Sequence, residues 1–293
     1  MGDTEKALAI TKSMTLKVRA TGKSKSLEGR VWAVNWLNLK RPWLYDLYGK
    51  LAFIHVAKAG AKLFFKGNVI EKLEGEDKYD RELLLIVRYP SVDGFINMLS
   101  NKWFQLKSIL RINAIKRFVF GFVEQEGGTG QALKRPANYE GSNGYMVHIF
   151  QTEVAYANDT AFQALIGPEK PELYFQGTQK AKVIRVQNGK EQEGPFFIDG
   201  ILIWEATDQQ TLKDWATSEV YEAFKKLNQS NNLYLLNRTI YSSQFLKSIP
   251  NRSTWQQKAR SLLKKRYVKT LLHRLFVFGP AVSRLHTRPT HQY

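Results

Sequence analysis

The chain carries one pattern twice, and that repetition limits what it can fold into more than any other property. Leu63-Phe64-Phe65-Lys66-Gly67 in the first half is matched by Leu173-Tyr174-Phe175-Gln176-Gly177 in the second. Each is followed by a polar stretch, an apolar strand and then a helix. The strand 83–87 leads through Pro90-Ser91-Val92-Asp93 into Phe95, Met98, Leu99 and Phe104. The strand 201–204 leads through Thr207-Asp208-Gln209-Gln210 into Leu212, Trp215, Ala216 and Tyr221. Glu172 to Gly177 has the look of an engineered protease site, but its coincidence with the first copy marks it as native.

Around these anchors each half reads in the same order. The first has a strand at 31–37 and a helix at 43–61, with Leu44, Leu47, Leu51, Ile54 and Ala57 at helical spacing and Gly60 as its stop. Strands at 63–65 and 83–87, a helix at 92–111 and a strand at 117–123 follow. The second has strands or strand regions at 145–150, 173–175 with 181–186, 200–204 and 233–240, and helices at 158–166 and 212–227. Between them Gly127-Gly128-Thr129-Gly130, Pro136 and Gly141-Ser142-Asn143-Gly144 mark a linker over 126–144. The expected organisation is a basic extension over 1–30, one unit at 31–125, a second at 145–243, and a basic helix and tail over 244–293. Units of this size, about 100 residues, can each bury a core.

The order β-α-β-β-α-β in both halves is the split βαβ, or ferredoxin-like, plan, and the expected class is α+β. A strand ending in Gly after the first helix, and Ser218-Glu219-Val220-Tyr221 (more weakly Asn101-Lys102-Trp103-Phe104) at the second, complete a pattern. On it, residues 31–123 and 145–241 resemble the dimeric α+β barrel superfamily, in particular its small domains of unknown function. The resemblance implies two sheets facing each other as a barrel. A tandem chain would form it within one molecule, as a pseudo-twofold monomer, and a homo-oligomer is the alternative. Related barrels include cofactor-free monooxygenases, isomerases and haem-binding enzymes. No motif here transfers any of these activities, so enzymatic function stays open and no cofactor is assigned.

Composition narrows the chemistry. With no cysteine, disulfides, thiolate metal sites and cysteine nucleophiles are excluded. Gly127 to Gly130 lacks the Gly-Lys-Ser/Thr of a phosphate loop, and no Gly-rich turn joins a strand to a helix in the dinucleotide manner. No leader or 18-residue apolar run is evident, and the expectation is a cytoplasmic protein, at most peripheral on the inner face of a membrane. The net charge is +18, and ten Lys or Arg with no Asp or Glu fall between Asn251 and Tyr293. There Trp255, Ala259, Leu262, Leu263, Leu271, Leu272, Leu275 and Phe276 recur near helical spacing among Lys258, Lys264, Lys265, Arg266, Lys269 and Arg274. Such a segment suits an anionic membrane surface, its own protein body, or less well RNA or an acidic protein.

Candidate site residues are few. His148 shares strand parity with Met146 and Phe150, so an apolar face must take an imidazole, either as a base or ligand contact in the barrel or as a core histidine satisfied within the fold. His55, in a helix beside Ile54 and Val56, reads as structural. Arg88 and Glu205 follow equivalent strands and can orient a polar head group, pair with each other, or sit as surface charges. Asp199 is a candidate carboxylate base, although Gly200 suggests a turn. Trp32, Trp36, Phe150, Phe197 and Trp204 are the expected lining of a cavity. Two readings follow. In one, the barrel binds, or binds and converts, a small largely apolar molecule, and the basic helix holds it at a membrane. In the other, a filled barrel is a non-enzymatic scaffold recruited to lipid, RNA or an acidic protein by its tail.

Overall fold

The computed structural model describes residues 3–22, 27, 29–129, 144–153, 155–168, 170–192 and 198–238. The first half runs β1 (Val31–Leu39), α2 (Pro42–Lys58), β2 (Lys62–Glu74), β3 (Leu83–Tyr89), α3 (Val92–Ser100), α4 (Lys102–Ala114) and β4 (Ile115–Gly127), with α1 (Asp3–Gly22) before it. The second runs β5 (Gly144–Gln151), α5 (Thr160–Gln163), β6 (Glu172–Gln187), β7 (Lys190–Glu191), β8 (Gly200–Ala206), α6 (Gln209–Ala216), α7 (Glu219–Lys225) and β9 (Ser230–Arg238).

The strands lie in the order β4-β1-β3-β2-β9-β5-β8-β6, every pair antiparallel, and β4 also pairs with β6. An eight-stranded sheet therefore closes on itself and leaves none of these strands as an open edge. The closing seam runs from Arg117 opposite Gln187 to Gly127 opposite Gln176 and absorbs three register shifts. The β2–β9 seam absorbs two. Bulges of this kind supply the bend that closure needs. The hairpin strand β7 extends β6 beyond the closed ring.

The repeated motif explains the middle of the barrel. In both halves the register slips at the same place, between Leu63 and Phe65 on β2 and between Leu173 and Phe175 on β6. An extra residue at a bulge breaks the strict alternation of faces. Phe64 and Phe65 thus both join the interior cluster, as do Tyr174 and Phe175. Phe64 meets Phe175 at 5.1 Å and Tyr174 at 5.6 Å between ring centroids, while Phe65 meets Tyr174 at 6.0 Å. The closing glycine of each motif makes room: a Cβ on Gly67 would lie 2.8 Å from the Phe65 ring, and one on Gly177 2.7 Å from the Phe175 ring.

Helices cover the outside of the sheet. The expected helix 92–111 is two helices, because Asn101 adopts an extended backbone and its side-chain oxygen accepts the Trp103 and Phe104 N–H groups. Ser218 does the same in the second half, capping α7 by accepting the Tyr221 N–H. The motif at these positions is thus an N-cap that restarts a broken helix. The helix expected over 158–166 shrinks to a 3₁₀ turn at Tyr156–Asn158 and the single turn of α5, between the Asp159 cap and Gly167. Residues 1–30, expected as a basic extension, instead supply α1. Its Ala7, Ile10, Met14 and Val18 are buried. Arg111 on α4 donates to the Met14 sulfur at 3.2 Å, and Arg19 to Ser100 on α3 at 2.7 Å. No described helix is long and apolar enough to cross a membrane. All described residues belong to one compact unit.

Candidate functional site

Parity on β1 and β5 decides which side chains reach the barrel interior. Trp32, Val34 and Trp36 face inward from β1, and Tyr145, Val147 and Ile149 from β5. Met146 and Phe150 belong to the outer layer beneath the helices, as does Trp204, the cross-strand partner of Met146. The expectation that Phe150 and Trp204 line the barrel is therefore corrected. Both faces of β5 are apolar because the helices bury the outer one too. Trp32 and Trp36 do lie inside. Phe197 and the tail set Trp255, Lys258, Lys264, Lys265, Arg266, Lys269 and Arg274 lie outside the described residues.

His148 lies on that outer face as well, fully buried between sheet and helices. The indole N–H of Trp204 donates to the Tyr221 oxygen at 3.1 Å, and the Tyr221 hydroxyl lies 3.0 Å from His148 Nδ1. His148 Nε2 lies 2.9 Å from Asn231 Oδ1, which also accepts from Asn228. Donors and acceptors match along this chain if His148 is neutral with its proton on Nε2. Burial drives its pKa down to about 3, against the opposing effect of the Asn231 bond and with the added push of Lys225. The imidazole is a satisfied core group and not a base in the barrel. His55 is likewise occupied, 2.9 Å from Lys107 Nζ and edge-on to Phe104. Asp199 lies just ahead of β8, its backbone N–H bonded to the Phe150 carbonyl and its carbonyl to the Gln179 N–H, and its carboxylate is ion-paired with Lys182 at 2.9 Å.

Glu205 is different. It stands opposite Tyr145 in the β5–β8 register, is 4% exposed, and accepts the Tyr145 hydroxyl at 2.7 Å. Arg238, the last described residue of β9, donates to the Tyr145 oxygen at 3.2 Å, the Tyr174 oxygen at 2.8 Å and the Phe64 carbonyl at 3.4 Å. Its guanidinium carbon is 4.9 Å from the centre of the Tyr174 ring, 5.5 Å from Tyr145 and 5.6 Å from Phe65. A cation is thus held over the bulge aromatics by hydrogen bonds and ring faces together. Burial raises the Tyr145 pKa above its ordinary value, with the Arg238 hydrogen bond opposing, so the phenol stays protonated at neutral pH.

Counted from the shared bulge, Arg88 corresponds to Glu205, Trp32 to Tyr145 and Gln125 to Arg238. Strands β1 and β5 are four places apart in an antiparallel ring, so they run the same way and their first residues share one end of the barrel. Trp32 and the half-buried Arg88 are cross-strand partners there, and Trp32 sits 6.5 Å from the Phe175 ring. The structure pairs Arg88 with Trp32 and Glu205 with Tyr145. Trp32 is 8% exposed, and its indole N–H has no hydrogen-bond partner among the described residues. Sequence reasoning missed Tyr145, Tyr174 and Arg238; the signal for Arg238 is its place opposite Gly67, within reach of the repeated motif. No cluster of metal-ligating side chains occurs among the described residues.

No family model and no curated protein matches the chain. Among solved structures it is similar to a proposed monooxygenase from Fusobacterium nucleatum, at 10% identity over 73% of this chain and 95% of that one, TM-score 0.45. An anthrone oxidase-like protein follows at 12% identity, 74% and 94% coverage and TM-score 0.42. A proposed monooxygenase from Lactobacillus acidophilus gives 11%, 72% and 94%, and 0.41. These are α+β barrel proteins of ferredoxin-like type. At such identities and scores they say nothing of activity, and the architecture stands on the strand order and register above.

Proposed function

We propose that the protein binds a small, largely apolar molecule bearing a hydrogen-bond acceptor, at the barrel end where Trp32, Arg88, Tyr145, Glu205 and Arg238 gather. The observation that carries this reading is the buried, unpartnered Trp32 N–H beside the Phe175 ring, at the barrel end where the Arg238 cation lies over Tyr174. A buried donor without an acceptor costs about 1–3 kcal/mol, and a ligand carbonyl or carboxylate relieves that cost. The four bulge aromatics occupy the barrel's middle, so the ligand sits above them. Tyr145 relays the Glu205 charge to one side of the site, and Arg238 favours an acceptor that is anionic or strongly polarised. We also infer that the two halves are copies of one unit joined as a pseudo-twofold barrel, supported by the shared bulge, glycine and restarted helix. Divergence of one copy to Tyr145, Glu205 and Arg238 gives the site its polarity.

Thermal-shift titration with 2-naphthoate and 1-naphthol tests this on the full chain. Saturable stabilisation by the carboxylate is expected. Trp32→Phe, which keeps the ring but removes the N–H, weakens its binding about tenfold, the worth of one hydrogen bond of about 1.4 kcal/mol. Equal binding by Trp32→Phe and the parent chain counts against the site.

A further inference from the structure

Outside the barrel, two helices of the first half hold a lysine against a histidine. Lys107 on α4 reaches across to α2, where its Nζ donates to the Leu51 carbonyl at 3.0 Å and to His55 Nε2 at 2.9 Å. Leu51 and His55 are one turn apart on α2, so the carbonyl and the imidazole face α4 together. The His55 ring is fixed in turn by Phe104, which it meets edge-on with centroids 5.8 Å apart. Phe104 lies one turn before Lys107 on α4, so the two helices hold each other's side chains. His55 accepts the Lys107 bond as a neutral imidazole with its proton on Nδ1. Burial, and then the charges of Lys107 and Lys58, lower its pKa and keep it neutral at neutral pH.

Neither helix supplies Lys107 with a counter-charge. Helix α4 contains no acidic residue, and Asp46, the one acid of α2, lies more than two turns before His55. Burial first, and then the charge of Lys58, lower the Lys107 pKa, so both favour the free amine. Leu51 and His55 take two N–H groups of that amine, which leaves its lone pair on the remaining tetrahedral direction. Lys107 and His55 are only half-buried, so a small molecule can reach them from solvent. The surroundings are apolar: Trp103, one turn before Lys107, is 62% exposed, and Ile54, beside His55, is 51% exposed. An amine held this way, desolvated and next to a base, is the arrangement that makes lysine a nucleophile towards carbonyl carbon.

We propose that Lys107 forms a Schiff base with a small uncharged aldehyde, with His55 as the residue that positions the amine and carries its protons. The amine nitrogen bonds to the carbonyl carbon and the carbon–oxygen bond breaks. Of the three ammonium protons, two pass through His55 to the carbonyl oxygen and leave with it as water, and one stays on the iminium nitrogen. No oxidant or reductant is consumed. The site shares no residue with the aromatic end of the barrel. Treating the full chain with salicylaldehyde and cyanoborohydride, which fixes the imine as a secondary amine, followed by peptide mass mapping, tests the proposal. Lys107 is expected to take up label at least about tenfold faster than Lys50 and Lys102, which are exposed on the same two helices. His55→Gln keeps an acceptor for the amine but carries no proton. It slows labelling of Lys107 by about tenfold and moves its pH profile to higher pH, while the rates at Lys50 and Lys102 stay as they were. Circular dichroism confirms that the variant is folded. Equal labelling of the three lysines, or the parent's rate and pH profile in His55→Gln, overturns the proposal.

Discussion

Replacing His148 by alanine is expected to destabilise the protein by about 3–5 kcal/mol. The change removes a fully buried ring that packs 4.9 Å from Phe150 and 5.8 Å from Phe224, and strips partners from Tyr221 and Asn231. Stranded buried polar groups add their own desolvation cost to the cavity. The same residue predicts a pH dependence. Its folded pKa of about 3 lies below the unfolded value near 6.5, so the unfolded chain binds the proton more readily in between. This contribution is fully present above about pH 6.5 and is lost as pH falls towards 3, by about 1.4 kcal/mol per pH unit. Urea denaturation at pH 7, 6 and 5 measures it. His148→Gln, which offers one acceptor and one donor but does not titrate, flattens that slope. An unchanged slope means that some other group is responsible.

Substituting alanine at both Gly67 and Gly177 is expected to cost about 3–5 kcal/mol, with each single change costing about 1–3. The added methyl at Gly67 is pressed between the Phe65 ring and Leu236, and that at Gly177 between Phe175 and Ile201. Neither ring has room to yield, because Phe65 already meets Tyr145 and Tyr174, and Phe175 meets Phe64 and Trp32. The two sites share the same aromatic cluster, so their effects are coupled. Gly49→Ala on α2 serves as the opposite control. Nothing lies within 4 Å of a Cβ there, and the helix gains about 0.5–1 kcal/mol. Thermal melts of the three singles and the double separate steric crowding from a general glycine effect. A double variant as stable as the parent contradicts the packing described for the barrel's middle.

How much of this was legible in the chain differs by element. The motif ending in Gly67 and Gly177 was visible as a repeat, and its meaning, a bulge that sends two aromatics inward, follows from register alone. The inward placement of Trp32 and Trp36 was expected from their aromatic character alone, since Val31, Ala33 and Leu37 at the intervening positions of β1 are apolar and buried as well. The facing of β5 was not legible. Tyr145, Val147 and Ile149 are as apolar as Met146 and Phe150, and helices bury the outer set while the barrel buries the inner, so hydrophobicity cannot choose between them. For that reason His148 stayed open between a contact inside the barrel and a core histidine satisfied within the fold, and the long-range partner Asn231 on β9 decides for the second. The N-terminal helix was hidden by its charge, although Ala7, Ile10, Met14 and Val18 already showed the spacing of a buried stripe. The polar end formed by Tyr145, Glu205 and Arg238 joins β5, β8 and β9, and no local pattern announces it. Only half of it, Glu205 with its counterpart Arg88, stood out by charge.

A ligand at the aromatic end of the barrel is tested most directly by native mass spectrometry of the full chain, followed by organic extraction. A discrete adduct is predicted, with the extract yielding one apolar compound that bears a carbonyl or carboxylate. It should be lost or weakened in Trp32→Phe and Arg238→Gln and retained in Lys50→Gln/Lys102→Gln, a pair of exposed residues remote from the site. A mass equal to that of the bare chain, together with no saturable response to 2-naphthoate or 1-naphthol, would contradict it and leave a filled barrel as the scaffold of an interaction protein.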